Sequence, residues 1–250
     1  MTDMPAAAAP APRPALEEWQ LSVVEAFDVE PRLRRVVFTA DTLDQLDYRP
    51  GQALVLRMPL PEGGTGRRDY TIRWLDREAK RLAIDFVLHG TTPAPSWARA
   101  AQAGDILLAL GPRGRTVVAP QADWHLFCVD ETGMPALRHM LETMPAAATV
   151  LALIETASAS DETPIETSAT LTSRWLARDG IAPGPNPLVL EALRALQLPA
   201  GQGQAYLVGE TSNVRSWRHH LVQRGMPKTA IASEGYWRPG RIGGHDHVDD

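Results

Sequence analysis

Cysteine is almost missing: the 250 residues contain one, Cys128. That excludes an internal disulfide and fits a reducing compartment. It sits in the apolar run Leu126-Phe127-Cys128-Val129, the setting of a buried, inert thiol rather than a nucleophile. Lysine is nearly as scarce, since of 25 basic residues only Lys80 and Lys228 are lysines. Thirty acidic residues leave a net charge of −5, which argues against a general binder of nucleic acid or of membrane surfaces. No apolar run approaches the length of a membrane span. The N-terminus has no basic segment followed by an apolar one, so no secretory signal is read. A cytoplasmic protein without membrane insertion is the expectation.

What is present suffices for two ordinary domains with ample core, at 44% hydrophobic and 22% charged residues. Residues 1–18 form an Ala/Pro tail in which Pro5, Pro10, Pro12 and Pro14 break any helix, and disorder is expected there. Residues 19–120 read as short strands at 20–26, 33–39 and 53–58, two more carrying Tyr70 and His89, and a sixth at 105–110. With one short helix at 96–101, this predicts a six-stranded antiparallel β barrel. Residues 121–242 change rhythm. Strands at 124–129, 149–155, 205–208 and 229–235 alternate with helices beginning near Pro135, at 188–196 and at 213–224, with a short element at 171–177. That alternation predicts a parallel-sheet α/β domain. Residues 243–250 read as a polar tail. His245-Asp246-His247 there is not taken as a metal motif, because two ligands do not close a site.

One stretch, residues 67–114, carries the densest pattern. Arg68-Asp69-Tyr70-Thr71-Ile72-Arg73-Trp74 alternates as a half-buried strand does, placing Tyr70, Ile72 and Trp74 on one face and Asp69, Thr71 and Arg73 on the other. Asp85-Phe86-Val87-Leu88-His89-Gly90 follows, then Ser96-Trp97-Ala98, Gly104-Asp105 and Gly111-Pro112-Arg113-Gly114. Further on stand Asp130-Glu131-Thr132-Gly133-Met134-Pro135-Ala136, Gly209-Glu210-Thr211 and Gly235-Tyr236-Trp237-Arg238. In this order the set resembles the siderophore-interacting proteins, flavin-dependent ferric-siderophore reductases of the ferredoxin–NADP reductase superfamily. The likeness runs from about Trp19 to Arg241.

The resemblance implies FAD as cofactor and NADPH or NADH as electron donor. A flavin needs a cation for its pyrophosphate, a flat partner for its ring and a hydrogen-bonding group near N5. Arg68, Tyr70 and Thr71 match those needs, and Arg68 and Tyr70 share a strand face. Val87, His89 and Gly90 match the strand end that encloses the cofactor. Ser96 and Trp97 match the family's helix start, where free N–H groups favour an anion. The family's Gly-Pro-Ala-Ser turn is replaced here by Thr92-Pro93-Ala94-Pro95-Ser96, which constrains backbone approach to a phosphate. Thr132 and Glu210 stand at strand ends that receive the nicotinamide in the wider superfamily, and the match at the C-terminal segment implies that Tyr236 or Trp237 lines the flavin. Arg174, Arg178 and Arg215 are the candidates for a 2′-phosphate.

The implied activity reduces Fe(III) to Fe(II), which hard oxygen donors hold less tightly, so that a ferric siderophore releases its iron. No side chain need act as acid or base, and no protein-bound metal is expected. Ferric siderophores are often anionic, which nominates Arg73, Lys228, Arg238 and Arg241 as a basic rim. Two alternatives remain: a reductase of a ferredoxin- or flavodoxin-type carrier, and a non-catalytic flavin- or siderophore-binding protein. A monomer is expected.

Overall fold

The computed structural model describes residues 16–88, 90–241, 243 and 246–248. Six antiparallel strands close a barrel in the order β1-β2-β5-β4-β3-β6. They are β1 (Glu18–Glu30), β2 (Leu33–Thr39), β3 (Ala53–Pro59), β4 (Thr65–Asp76), β5 (Arg81–Val87) and β6 (Ile106–Arg113). Alternation explains the closure. Trp19, Leu21 and Val23 on β1 point inward with Phe38, Leu54, Leu56, Ile84 and Phe86, all buried. The Trp19 indole donates to the Gly111 carbonyl at 3.0 Å, so this large ring is buried without losing its hydrogen bond.

β1 outruns the expected strand because its second half pairs with β2 down to Glu30 and Leu33. β4 departs from simple alternation. A register shift between Ile72 and Trp74 is a bulge, and Thr71, Ile72 and Arg73 are all buried in succession. The helix α1 (Pro93–Ala100) starts earlier than the expected 96–101, with Pro93 in its first turn, and lays Ala94 and Ala98 against the barrel.

The second half is a sheet ordered β12-β11-β10-β7-β8-β9. β7 (Trp124–Val129), β8 (Thr149–Thr156), β9 (Thr170–Ala177), β10 (Gly203–Glu210) and β11 (Ile231–Trp237) are parallel. β12 (Asp246–His247) runs antiparallel to β11. β7 is buried at every residue, as a central parallel strand covered on both faces must be. Leu137, Met140 and Leu141 of α2 (Met134–Glu142) cover one face. Leu193 of α3 (Leu188–Ala195) with Val214, Trp217 and Leu221 of α4 (Thr211–Gln223) cover the other. The α3 start follows the expected chemistry, with Asn186 Oδ1 accepting from the Leu188 N–H at 3.0 Å.

Two expectations change here. The short element at 171–177 is the edge strand β9, and the expected polar tail folds back as β12, with Val248 only 3% exposed in the core. The expected disorder of the N-terminal tail concerns residues almost all outside those described. No helix among the described residues is long and apolar enough to cross a membrane.

Chain order reverses across β7, since β8 and β9 extend to one side and β10 and β11 to the other. In open α/β sheets that switch point marks a crevice at the strands' carboxyl ends. Here the crevice faces the barrel.

Candidate functional site

A cleft of about 620 Å³ separates the barrel from the carboxyl edge of the sheet, well within the range of cofactor pockets. Its barrel wall is Arg68, Asp69, Tyr70 and Thr71 of β4, then Val87, Leu88 and Gly90 after β5, and Thr92, Ala94 and Pro95 at the start of α1. The sheet wall is Glu131, Thr132, Arg178, Tyr236 and Trp237, continued by Arg238, Arg241, Gly243 and Asp246.

The Tyr70 ring rests on Phe86 at 4.3 Å, and Phe86 on Trp97 at 5.8 Å, with Phe38 stacked behind Trp97 at 6.2 Å. Tyr70 is therefore held by a series of rings running into the barrel core. Burial pushes its phenol well above the ordinary range. Arg68 differs from its neighbours. Its guanidinium donates to the Arg67 carbonyl at 2.7 Å, and among the described residues it has no carboxylate partner. By contrast Arg113, Arg138, Arg178, Arg238 and Arg241, which also line the cleft, each face a carboxylate. A part-buried cation without a counter-ion, beside a backed aromatic ring and a hydroxyl, is the donor set that a flavin dinucleotide requires.

On the sheet side, Asp130 ends β7 and organises the edge. Its Oδ1 accepts from the Thr132 N–H at 2.8 Å and the Thr132 hydroxyl at 2.5 Å. Its Oδ2 accepts from the Glu210 N–H and from Trp237 Nε1, both at 2.8 Å. Gly209 is required beside it: φ is +148°, and a Cβ there would lie 2.7 Å from Asp130 Oδ2. Burial pushes the Asp130 carboxyl up to about 6, against the pull of Thr132 and Trp237. Burial, then the Glu234 carboxylate, push the Tyr236 phenol up, while hydrogen bonding with the Thr71 side chain acts the other way. This pairing joins the C-terminal strand to β4 across the cleft.

The structure thus brings Arg68, Tyr70, Thr71, Val87, Gly90, Thr132, Trp237, Arg238 and Arg241 to one cleft. His89 lies outside the described residues. Five expected residues go elsewhere. Ser96 is exposed in the first turn of α1, where its N–H is already taken by the Thr92 carbonyl at 3.1 Å. Trp97 packs behind Phe86, away from the cleft wall. Glu210 is 1% exposed and caps α4, accepting from the Asn213 N–H at 2.8 Å. The β4 bulge turns Arg73 inward, where it grips Glu142 of α2 at 2.7 and 2.5 Å and stands 3.7 Å from Asp85. Lys228 precedes β11, while the cleft lies beyond that strand's far end, so it is displaced by roughly 20 Å of strand.

The three candidates for a 2′-phosphate also separate. Arg178 is 5% exposed and bonded to Glu131 at 2.6 and 2.9 Å and to Glu155 at 2.9 Å. Burial would lower its pKa, and the two carboxylates outweigh that and raise it. Arg174 lines a separate shallow groove against α3, and Arg215 is exposed on α4. Sequence reading missed Arg113, Trp175 and Asp246. Asp246 carried a misleading signal, lying between two histidines in an apparent tail.

A closed antiparallel barrel facing the carboxyl edge of a parallel sheet is the architecture of ferredoxin-reductase-like flavoproteins. A ferredoxin reductase of carbazole 1,9a-dioxygenase shares the fold at 16% identity, with a TM-score of 0.72 over 90% of this chain and 71% of that one. Within that class the chain belongs to the siderophore-interacting protein family. Residues 62–116 match the siderophore-interacting FAD-binding domain and residues 122–240 the siderophore-interacting protein model. Ferric vibriobactin reductase ViuB of Vibrio cholerae is 31% identical over 204 residues, 79% of this chain and 72% of that protein. A siderophore utilization protein from T. fusca superposes with a TM-score of 0.86 at 33% identity, covering 93% of this chain and 97% of that one. An uncharacterised Mycobacterium tuberculosis protein is 34% identical over 185 residues; the match spans 70% of this chain and 65% of that relative.

Proposed function

We propose that the chain is an FAD-dependent NAD(P)H:ferric-siderophore reductase that frees iron by reducing Fe(III) to Fe(II). The observation that carries this reading is the unpaired Arg68 beside the backed ring of Tyr70 and the hydroxyl of Thr71 in one cleft wall. Bound there, FAD would supply the redox chemistry that couples a two-electron nicotinamide donor to a one-electron ferric acceptor. The protein's share is binding, orientation and exclusion of water. Arg68 would hold phosphate, Tyr70 would pack against the ring, and Thr71 would offer its hydroxyl to it. Val87, Gly90 and Ala94 close the barrel side without bulk.

The 19–120 barrel carries the flavin, and the 121–242 sheet domain receives the nicotinamide at Thr132 and beneath Trp237. Tyr236 and Trp237 shield the space between them. Arg238 and Arg241 form the rim that meets an anionic ferric siderophore. With Arg178 locked between Glu131 and Glu155, no described residue offers a 2′-phosphate a free guanidinium at that strand end, which favours NADH as donor. The reaction suits the cytoplasm, where siderophore iron is needed and nicotinamides are reduced.

The test is anaerobic turnover of the FAD-loaded protein, with Fe(II) trapped by a ferrous-specific chelator. Fe(II) should form only with nicotinamide and ferric siderophore together, faster with NADH than with NADPH. Nicotinamide oxidation that does not rise on adding ferric siderophore would favour a non-catalytic binding protein instead.

A further inference from the structure

Asp246 makes contacts that flavin binding does not call for. The pairing of Gly235 with Asp246 and of Glu234 with His247 lays β12 along β11. This places the Asp246 carboxylate between the two rim arginines. Oδ2 lies 2.7 Å from Arg238 Nη2 and accepts from the Thr211 hydroxyl at 3.1 Å, while Oδ1 accepts from Arg241 Nη1 at 2.8 Å. The Asp246 side chain is 18% exposed and both arginine side chains 41%. All three residues line the cleft. The β12–β11 pairing holds the acid in place, and the hydroxyl of Thr211, the first residue of α4, is shared between it and the Trp237 carbonyl at 3.0 Å. Two cations thus converge on one built-in anion at the cleft's open edge. A guanidinium fork already engaged by a carboxylate must share or release it before closing on an anion from outside.

We propose that Asp246 is a specificity-determining residue of the substrate rim, an internal carboxylate that competes with the anionic groups of the ferric chelate for Arg238 and Arg241. The inference rests on reading the cleft as a ferric-chelate site. The competition is charge-selective. A trianionic tris-catecholate complex is repelled by the Asp246 charge and must also displace it from the forks. A neutral tris-hydroxamate complex is nearly indifferent to it. Asp246 therefore narrows the gap between the two chelate classes, letting neutral complexes compete.

The experiment uses the full-length, FAD-loaded protein and redox-inert gallium(III) complexes, one a tris-catecholate and one a tris-hydroxamate. Binding is followed by quenching of tryptophan fluorescence. Asp246→Asn keeps the side-chain shape and removes the charge. The variant should bind the tris-catecholate about tenfold more tightly, with a steeper loss of affinity as salt is added, and the tris-hydroxamate within about twofold of wild type. With Arg238→Gln and Arg241→Gln also present, the gain should vanish, which a merely structural role for Asp246 would not produce. Equal shifts for both complexes, no shift, or a gain that survives loss of the arginines would overturn the inference. Should the amide variant fail to hold FAD, Asp246→Ser replaces it, with the same outcomes read. Wild-type protein that binds neither complex would instead defeat the ferric-chelate reading itself, and the two failures are distinguished by that control.

Discussion

Arg68 and Arg73 stand on one strand and have opposite surroundings. Among the described residues Arg68 faces the cleft without a counter-charge, whereas Arg73 is 8% exposed and forks onto Glu142 beside Asp85. Alternation alone put Arg73 on the face of Asp69 and Thr71, and its charge nominated it for the substrate rim. The bulge that turns it inward involves no glycine or proline, so nothing in the local sequence announced it. Truncation tests the difference. Arg73→Ala removes the fork on the partly exposed Glu142, leaving His139 at 3.7 Å beside it, and should cost about 1 kcal/mol of stability. The thermal midpoint should fall while KM for the ferric substrate in the folded protein stays unchanged. A raised KM at an unchanged midpoint would return Arg73 to the substrate rim.

Asp130 gives a pH signature at the same scale. Burial raises its native carboxyl to about 6 from an ordinary 3.8, so the native state holds its proton more tightly than the unfolded chain does. Its contribution to stability is then fully present below an unfolded pKa near 4 and is lost as pH rises through about 6. Because Asp130 Oδ2 accepts from Trp237 Nε1, indole fluorescence should titrate near pH 6. The transition should disappear in both Asp130→Asn and Trp237→Phe. A transition that persists in Asp130→Asn would assign it to another group.

At the scale of elements, most boundaries were legible because the chemistry marking them is local. β7 and β2 fall where alternation or apolar runs placed them, and α3 starts after Asn186-Pro187. α1 was misplaced because its first turn is rich in proline. Pro93 and Pro95 carry no N–H, so of the first three helical residues only Ala94 can donate toward the cleft. Pro95→Ala restores a donor at a helix start that lines the cleft, and FAD should bind about threefold more tightly, as one added N–H to a phosphate implies. Fluorescence titration of apoprotein with FAD measures it. Unchanged or weaker binding would show that the phosphate does not reach α1.

Across the whole molecule, the order of barrel and then parallel sheet was readable because strand-only and alternating rhythms differ so plainly along the chain. The site was readable in its motifs but not in its membership. Glu210 sits at the correct strand end yet turns back to cap α4, and Trp97 belongs to the right motif yet backs the ring beneath Tyr70. Only packing decides which way such side chains face. Asp246 reaches the cleft through a two-residue strand too short to carry any periodicity. Arg32 of the barrel pairs with Asp161 of the sheet domain, and Arg138 with Glu30 at 2.5 Å. These pairs close one side of the cleft over positions distant in sequence.

The account's central claim is that β4 presents a flavin grip to this cleft. The most direct measurement is the visible spectrum of purified protein reconstituted with FAD, wild type beside Arg68→Gln. Wild type should show flavin absorption with bands shifted from free FAD and should release a stoichiometric amount of FAD on denaturation. Arg68→Gln should bind roughly 10- to 100-fold more weakly, the range expected for losing a charge-assisted phosphate bond, with an unchanged thermal midpoint of the apoprotein. A colourless wild-type protein that takes up no FAD, or an Arg68→Gln variant that holds it as tightly, would contradict the account.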